Sequence, residues 1–172
     1  MRHTRAEIDL QALRFNFEGI RDRVGSNVKI MGIVKANAYG HGMVEAAKAL
    51  AGFGCHQLGV AFLEEGIELR KHGITTPVLV LGGVLGSQIT DFLEYDLEVT
   101  VSSREIADRF NIEARARGGK KARAHLKIDT GMERIGVRAE DALSFVEYAC
   151  KLKYLDVVGI YSHFATSDER DK

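Results

Sequence analysis

The sequence predicts an α/β protein with parallel strands, a (β/α)8 TIM-type barrel represented by about six of its βα units. Three observations carry that expectation. Strand-length apolar runs alternate with helical repeats along the whole chain. No Gly-x-Gly-x-x-Gly follows the first strand, which weakens a doubly wound sheet, the other architecture the alternation allows. Polar residues also close several separate strands at their C-terminal ends, where barrels build their sites. A closed barrel takes eight strands and about 250 residues, and this chain has 172. The expected unit is therefore an incomplete barrel.

The elements are expected in the following order. Ala6 to Leu10 reads as a short strand, and Leu10, Leu13, Phe17, Ile20 and Val24 then recur at helical spacing, with Asp9 as N-cap and Gly25 as stop. Val28, Ile30, Met31, Ile33 and Val34 form a buried strand that ends at Lys35. Met43 to Ala51 is a helix ended by Gly52 and Gly54, and Gln57 to Phe62 is the next strand. A helix from Leu63 to His72 stops at Gly73, and Pro77 opens the strand Val78 to Leu81. A weaker helical pattern runs through Ile89, Phe92 and Leu93, and Leu97 to Val101 is a strand. Ser102 and Glu105 have capping-box spacing and start a helix that Gly118 and Gly119 end. Ala122 to Ile128 alternates strictly, with His125, Lys127 and Asp129 on its polar face. A helix from Ala139 to Leu152 and a strand from Leu155 to Tyr161 complete the pattern.

Composition narrows the partners. With 24 basic and 24 acidic side chains the formal charge is zero, which argues against a nucleic-acid or anionic-membrane surface. No apolar run approaches the ~20 residues of a membrane span, and a cytoplasmic protein is expected. Cys55 and Cys150 are too few for a disulfide framework and are expected to be reduced core residues; no metal site is expected.

The chemistry concentrates in Gly32 to Gly42. A lysine closing an apolar strand either reaches back to water or acts as a nucleophilic amine, because burial raises the neutral fraction that attacks a carbonyl. Tyr39 follows, and Gly40 and Gly42 flank His41, so backbone can approach a ligand closely. Side-chain parity lets Lys35, His163 and the polar face of the Ala122 to Ile128 strand point toward one cavity.

The string Val34-Lys35-Ala36-Asn37-Ala38-Tyr39-Gly40-His41-Gly42 closely resembles the cofactor-attachment motif of alanine racemases, a fold-type III family that uses pyridoxal 5'-phosphate. Lys127-Ile128-Asp129-Thr130-Gly131-Met132-Glu133-Arg134-Ile135-Gly136 and Ser162-His163-Phe164 resemble two further segments of that family, in the same order. The resemblance implies that Lys35 is the catalytic and cofactor-attaching lysine and that Tyr39 hydrogen-bonds the cofactor phosphate. It implies that Arg134 faces the cofactor's phenolic oxygen and the substrate carboxylate, and that His163 lies against the pyridine ring. Lys127 matches a lysine that is carbamylated in some members. His41, His56 and His72 carry no such implication and are read as structural, His125 as a lumen residue without a catalytic task, and His3 as exposed.

By this resemblance residues 1–172 are the N-terminal cofactor-binding barrel portion, without the last two βα units and the C-terminal β domain. The implied activity is interconversion of L- and D-alanine, which supplies D-alanine for peptidoglycan, by a homodimer whose partner subunit provides the second base, a tyrosine. The chain by itself is expected to be inactive and to bind the cofactor weakly. The alternatives are a non-catalytic cofactor-binding module, a fragment that self-associates through open barrel edges, and a racemase for another amino acid.

Overall fold

The structure, a computed structural model, describes residues 4–170. Among the described residues there are seven strands, separated by helices except where the sixth directly follows the fifth, and the chain forms two compact units, Met1–Val78 and Leu79–Lys172. Strand pairing within each is parallel, as an incomplete (β/α)8 barrel requires.

In the first unit, α1 (Leu10–Val24) begins where the Asp9 carboxylate accepts the N–H groups of Gln11 (2.7 Å) and Ala12 (3.2 Å), and it ends at Gly25, φ +84°. The strand expected over Ala6 to Leu10 does not form. Asp9 commits the backbone to a helix start, Leu10 becomes the first helical residue, and residues 4–9 have no strand beside them. Phe17 is the residue that α1 buries, 6.2 Å from the Phe53 ring. β1 (Met31–Ile33) pairs with β2 (Gln57–Val60), Gly32 facing Leu58. A Cβ on Gly32 would lie 2.9 Å from Leu50 Cδ1 and 3.2 Å from Cys55 Sγ. The missing side chain is what lets α3 (Met43–Gly52) settle onto the strand. α4 (Leu63–Lys71) follows β2 and stops at His72, with Gly73 at φ +77°. The Leu58 N–H then donates to the Pro77 carbonyl (2.8 Å), just ahead of β3 (Val78–Val80).

The second unit orders its strands β3, β4 (Glu98–Val101), β5 (Ala122–Asp129) and β7 (Leu155–Tyr161). A two-residue strand, β6 (Val137–Arg138), lies beside the end of β5; it is too short to leave a periodic signal in the sequence. α5 (Ile89–Glu94), α6 (Arg104–Ala116) and α7 (Ala142–Cys150) complete the unit. The cap of α6 is Ser103, whose Oγ accepts the Ile106 N–H (3.3 Å), and not Ser102 as the spacing suggested. Phe92 and Phe110 meet edge to face at 5.6 Å within the core. Cys55 is buried, but Cys150 is exposed, contrary to expectation, because it ends α7 on the solvent side.

The alternation of β5 holds. Ala122, Ala124, Leu126 and Ile128 are buried, and Arg123 and His125 on the other face converge on Glu98 of β4. Glu98 is 2% exposed; Oε1 accepts Nε (2.9 Å) and a terminal nitrogen (2.6 Å) of Arg123, and Oε2 meets His125 Nε2 at 2.8 Å. Burial alone would raise this carboxyl's pKa, but the hydrogen bonds from His125 and Arg123 outweigh it and hold it below the ordinary carboxylate range. A carboxyl whose pKa is lower folded than unfolded stabilises fully above the ordinary range and loses that contribution as pH falls through the depressed value. In a denaturation series the acid loss of stability should therefore shrink in Glu98→Gln. Glu98→Ala should cost about 3 kcal/mol near neutral pH, and an Ala variant as stable as the parent would contradict this account.

Candidate active site

Lys35 follows the buried Val34 at the end of β1 and opens α2 (Lys35–Tyr39), which is not a right-handed helix. Ala36, Asn37, Ala38 and Tyr39 have φ of +51°, +55°, +50° and +53°. An L-residue in this region costs roughly 1–2 kcal/mol, and none of these is glycine. Hydrogen bonds hold the turn. The Ala38 N–H donates to the Val34 carbonyl (2.9 Å), and the Asn37 carbonyl accepts the N–H groups of Gly40 and Gly42 (both 3.1 Å). Asn37 Oδ1 accepts the Met43 N–H (2.9 Å), which joins the turn to the first residue of α3. The His41 ring donates to the Ala38 carbonyl (2.8 Å).

One further bond comes from α4. The Ala36 N–H donates to Glu65 Oε1 (2.6 Å), while Glu65 Oε2 accepts the N–H groups of Ala61 (2.7 Å) and Phe62 (3.1 Å). One carboxylate thus joins the residues after β1 to those after β2. Lys35 is half-buried, between the two alternatives that its place at the end of an apolar strand left open. Its Nζ lies 6.0 Å from the centre of the Tyr39 ring, and Tyr39 is 66% exposed.

In the second unit, the polar face of β5 leads into the loop that carries Arg134. Asp129 Oδ1 accepts the N–H groups of Glu133 and Gly131 (3.0 Å each), and these bonds keep its carboxyl below the usual range. Gly136, at φ +132°, lets the loop fold back: a Cβ there would stand 2.8 Å from Asp129 N and 3.0 Å from Ile128 C. That return is what allows β6 to pair with β5. Arg134 is exposed on the loop.

Lys127 is 4% exposed, with Nζ 4.4 Å from the centre of the Tyr161 ring. Burial lowers its pKa, and the positive charge of Arg134 lowers it further against the opposing pull of Asp129. The Tyr161 hydroxyl is 2.7 Å from Thr100 Oγ1, which itself donates to the Val80 carbonyl (2.7 Å), so the phenol is the donor between them. Burial pushes that phenol's pKa up. His163 is exposed, two residues beyond β7, and an open cleft of about 450 Å³ is lined by Thr130, Phe164, Ala165, Thr166 and Ser167.

The structure therefore brings Lys35 and Tyr39 together in the first unit, and Lys127 and Arg134 together in the second, with His163 at solvent. His56 and His72 bond to backbone, while His3 lies outside the described residues. Glu65, Thr100 and Tyr161 escaped the sequence reading. Phe62 occupies the N-cap of α4, and without a Ser or Thr there nothing marks Glu65 as half of a capping box. Tyr161 shares the strand parity of Gly159, and that spacing was the one available signal. Among the described residues, no group of three His, Cys, Asp or Glu side chains could hold a metal ion, and no helix is long and apolar enough to cross a membrane.

Parallel strands connected by helices, with ionisable side chains near strand C-terminal ends, are the units of a truncated (β/α) barrel. Residues 8–172 match the family model described as alanine racemase, N-terminal domain, and the chain belongs to that family. An alanine racemase of Halothermothrix orenii is 48% identical over 171 residues, covering 99% of this chain and 45% of the relative. The solved alanine racemase of Clostridium difficile 630 aligns with a TM-score of 0.90 at 43% identity, over 94% of this chain and 43% of its own. A histidine racemase of Leuconostoc mesenteroides aligns with a TM-score of 0.84 at 26% identity, over 96% and 44%. The chain spans less than half the length of these relatives.

Proposed function

We propose that this chain is the N-terminal, pyridoxal-phosphate-binding barrel portion of a cytoplasmic alanine racemase that interconverts L- and D-alanine, supplying D-alanine for peptidoglycan. The observation that carries the reading is Lys35, a half-buried amine at a strand end, fixed by a left-handed turn. Strained backbone of this kind clusters where a side chain must be aimed.

The residues present suit the cofactor. Lys35 offers an amine for its aldehyde, the exposed Tyr39 a hydroxyl for its phosphate, and Arg134 a planar cation for a phenolate or a substrate carboxylate. His163 offers an imidazole for the pyridine ring. When bound, pyridoxal phosphate acts as an electron sink that makes the substrate Cα proton acidic. With the cofactor bound, Lys35 would be the amine that moves that proton on one face of Cα, and Arg134 would be the cation that binds a carboxylate. A base on the opposite face is assigned to a partner subunit of a homodimer.

Occupancy of the chain alone is expected to be low, so covalent trapping is the appropriate test. Borohydride reduction in the presence of pyridoxal phosphate should leave a stable adduct on the peptide containing Lys35, lost in Lys35→Ala. Labelling spread evenly over the surface lysines would contradict the proposal.

Lys127 is the proposed carbamylation site. The amine attacks carbon dioxide, a C–N bond forms, a proton is released, and the buried cation becomes an anion facing Arg134. Its lowered pKa favours the neutral amine this step needs. Carbon-13 bicarbonate should give a carbamate resonance that Lys127→Met abolishes, and a parent without that resonance would exclude the modification.

Two observations favour secondary readings. A histidine racemase shares the fold, so the fold alone does not choose the substrate side chain. β7 pairs with β5 while Val158 and Ile160 stay exposed (38% and 58%), which favours association of the chain with a second copy. Light scattering should then report a mass above that of one chain; a monomer at all concentrations would exclude this association.

A further inference from the structure

We infer that Glu65 is a positioning residue for Lys35: its carboxylate, set by the first turn of α4, fixes the peptide between Lys35 and Ala36 and so aims the amine. This rests on the reading of Lys35 as the cofactor-attaching lysine. The geometry is specific. Three backbone N–H groups, those of Ala36, Ala61 and Phe62, use both oxygens of one side chain. The Ala36 bond is the shortest of the three, and it falls on the residue directly after Lys35, the first with positive φ.

The rest of the turn is held largely by its own residues, through Val34, Asn37 and Ala38. Those bonds keep the turn closed, and Glu65 reaches in from α4 to hold the N–H of its first peptide. Releasing that peptide would free ψ of Lys35 and φ of Ala36, so the lysine would no longer be held in one direction relative to the turn, and a side chain with four carbons before its nitrogen turns a small rotation into a large displacement of Nζ. Neither close isostere can substitute. Glutamine has one acceptor oxygen, and its amide N–H₂ would face an N–H group on one side of the bridge. Aspartate is one methylene shorter and cannot span from α4 to Ala36. The role is positional because the carboxylate's bonds to Ala36, Ala61 and Phe62 all go to backbone.

The test uses the full chain and two readouts. In amide hydrogen exchange, Glu65→Gln should speed the Ala36 amide about tenfold or more, while the Ala38 and His41 amides, bonded within the turn, keep their protection. In borohydride trapping with pyridoxal phosphate, the rate of labelling at Lys35 should fall about tenfold in both Glu65→Gln and Glu65→Asp. Leu69→Ala, a core substitution on the same helix, serves as the stability control and should leave labelling near the parent rate. If the parent is not labelled at Lys35, the cofactor reading fails and the role of Glu65 falls with it. If the parent is labelled but the Glu65 variants match it, or if Leu69→Ala loses labelling as they do, the inference alone is overturned.

Discussion

A left-handed turn built without glycine is the constraint on which the chemistry proposed for this chain depends. Ala36 to Tyr39 occupy a region of backbone space that L-residues avoid, and they do so together, directly after the lysine. Such a turn persists only where its surroundings over-determine it. Here the surroundings are specific: Asn37 bonds forward to α3, Val34 and Ala38 close the turn from within, and Glu65 reaches across from α4. Two helices and a strand thus fix the backbone that carries one amine. A lysine side chain is flexible, so the precision of the site has to come from where its backbone is held.

The second unit solves a comparable problem by different means. Arg134 sits on a loop, and Asp129 and Gly136 give that loop a definite shape, the first by accepting two backbone N–H groups and the second by permitting a close approach to β5. Below it, Lys127 is buried against the Tyr161 ring and near a second positive charge. A buried cation beside another cation is held at an energetic disadvantage, which its environment relieves by favouring the neutral amine. By contrast, the Glu98, Arg123 and His125 cluster at the start of β4 and β5 satisfies its charges fully and serves stability. The two clusters share β5, one toward its start and the other at its C-terminal end.

Much of this was legible in the amino-acid order. The alternation of Ala122 to Ile128 correctly separated a buried apolar face from a polar one, and the limits of β7 and the start of β2 followed from apolar runs bounded by turns. Lys35 stood out because an apolar strand rarely ends in a lysine beside two glycines. The turn itself was hidden: Ala, Ala and Tyr carry no positive-φ signature, and Asn37 is the only residue of the four with a known tolerance for it. Glu65 was equally hidden, because its partners are backbone groups from two separate loops. The strand expected at Ala6 to Leu10 failed because Asp9 was read correctly as a cap and yet was allowed to sit inside a strand. One residue cannot do both.

The most direct measurement is the intraresidue cross-relaxation between amide and Cα protons for residues 36 to 39 in solution, since positive φ brings those two protons unusually close. A backbone locked in the left-handed region gives four strong signals, comparable to one another and distinct from those of α3. Weak signals typical of right-handed helix at these positions would mean that the lysine is not held as described, and the explanation of how it is aimed would fail with them.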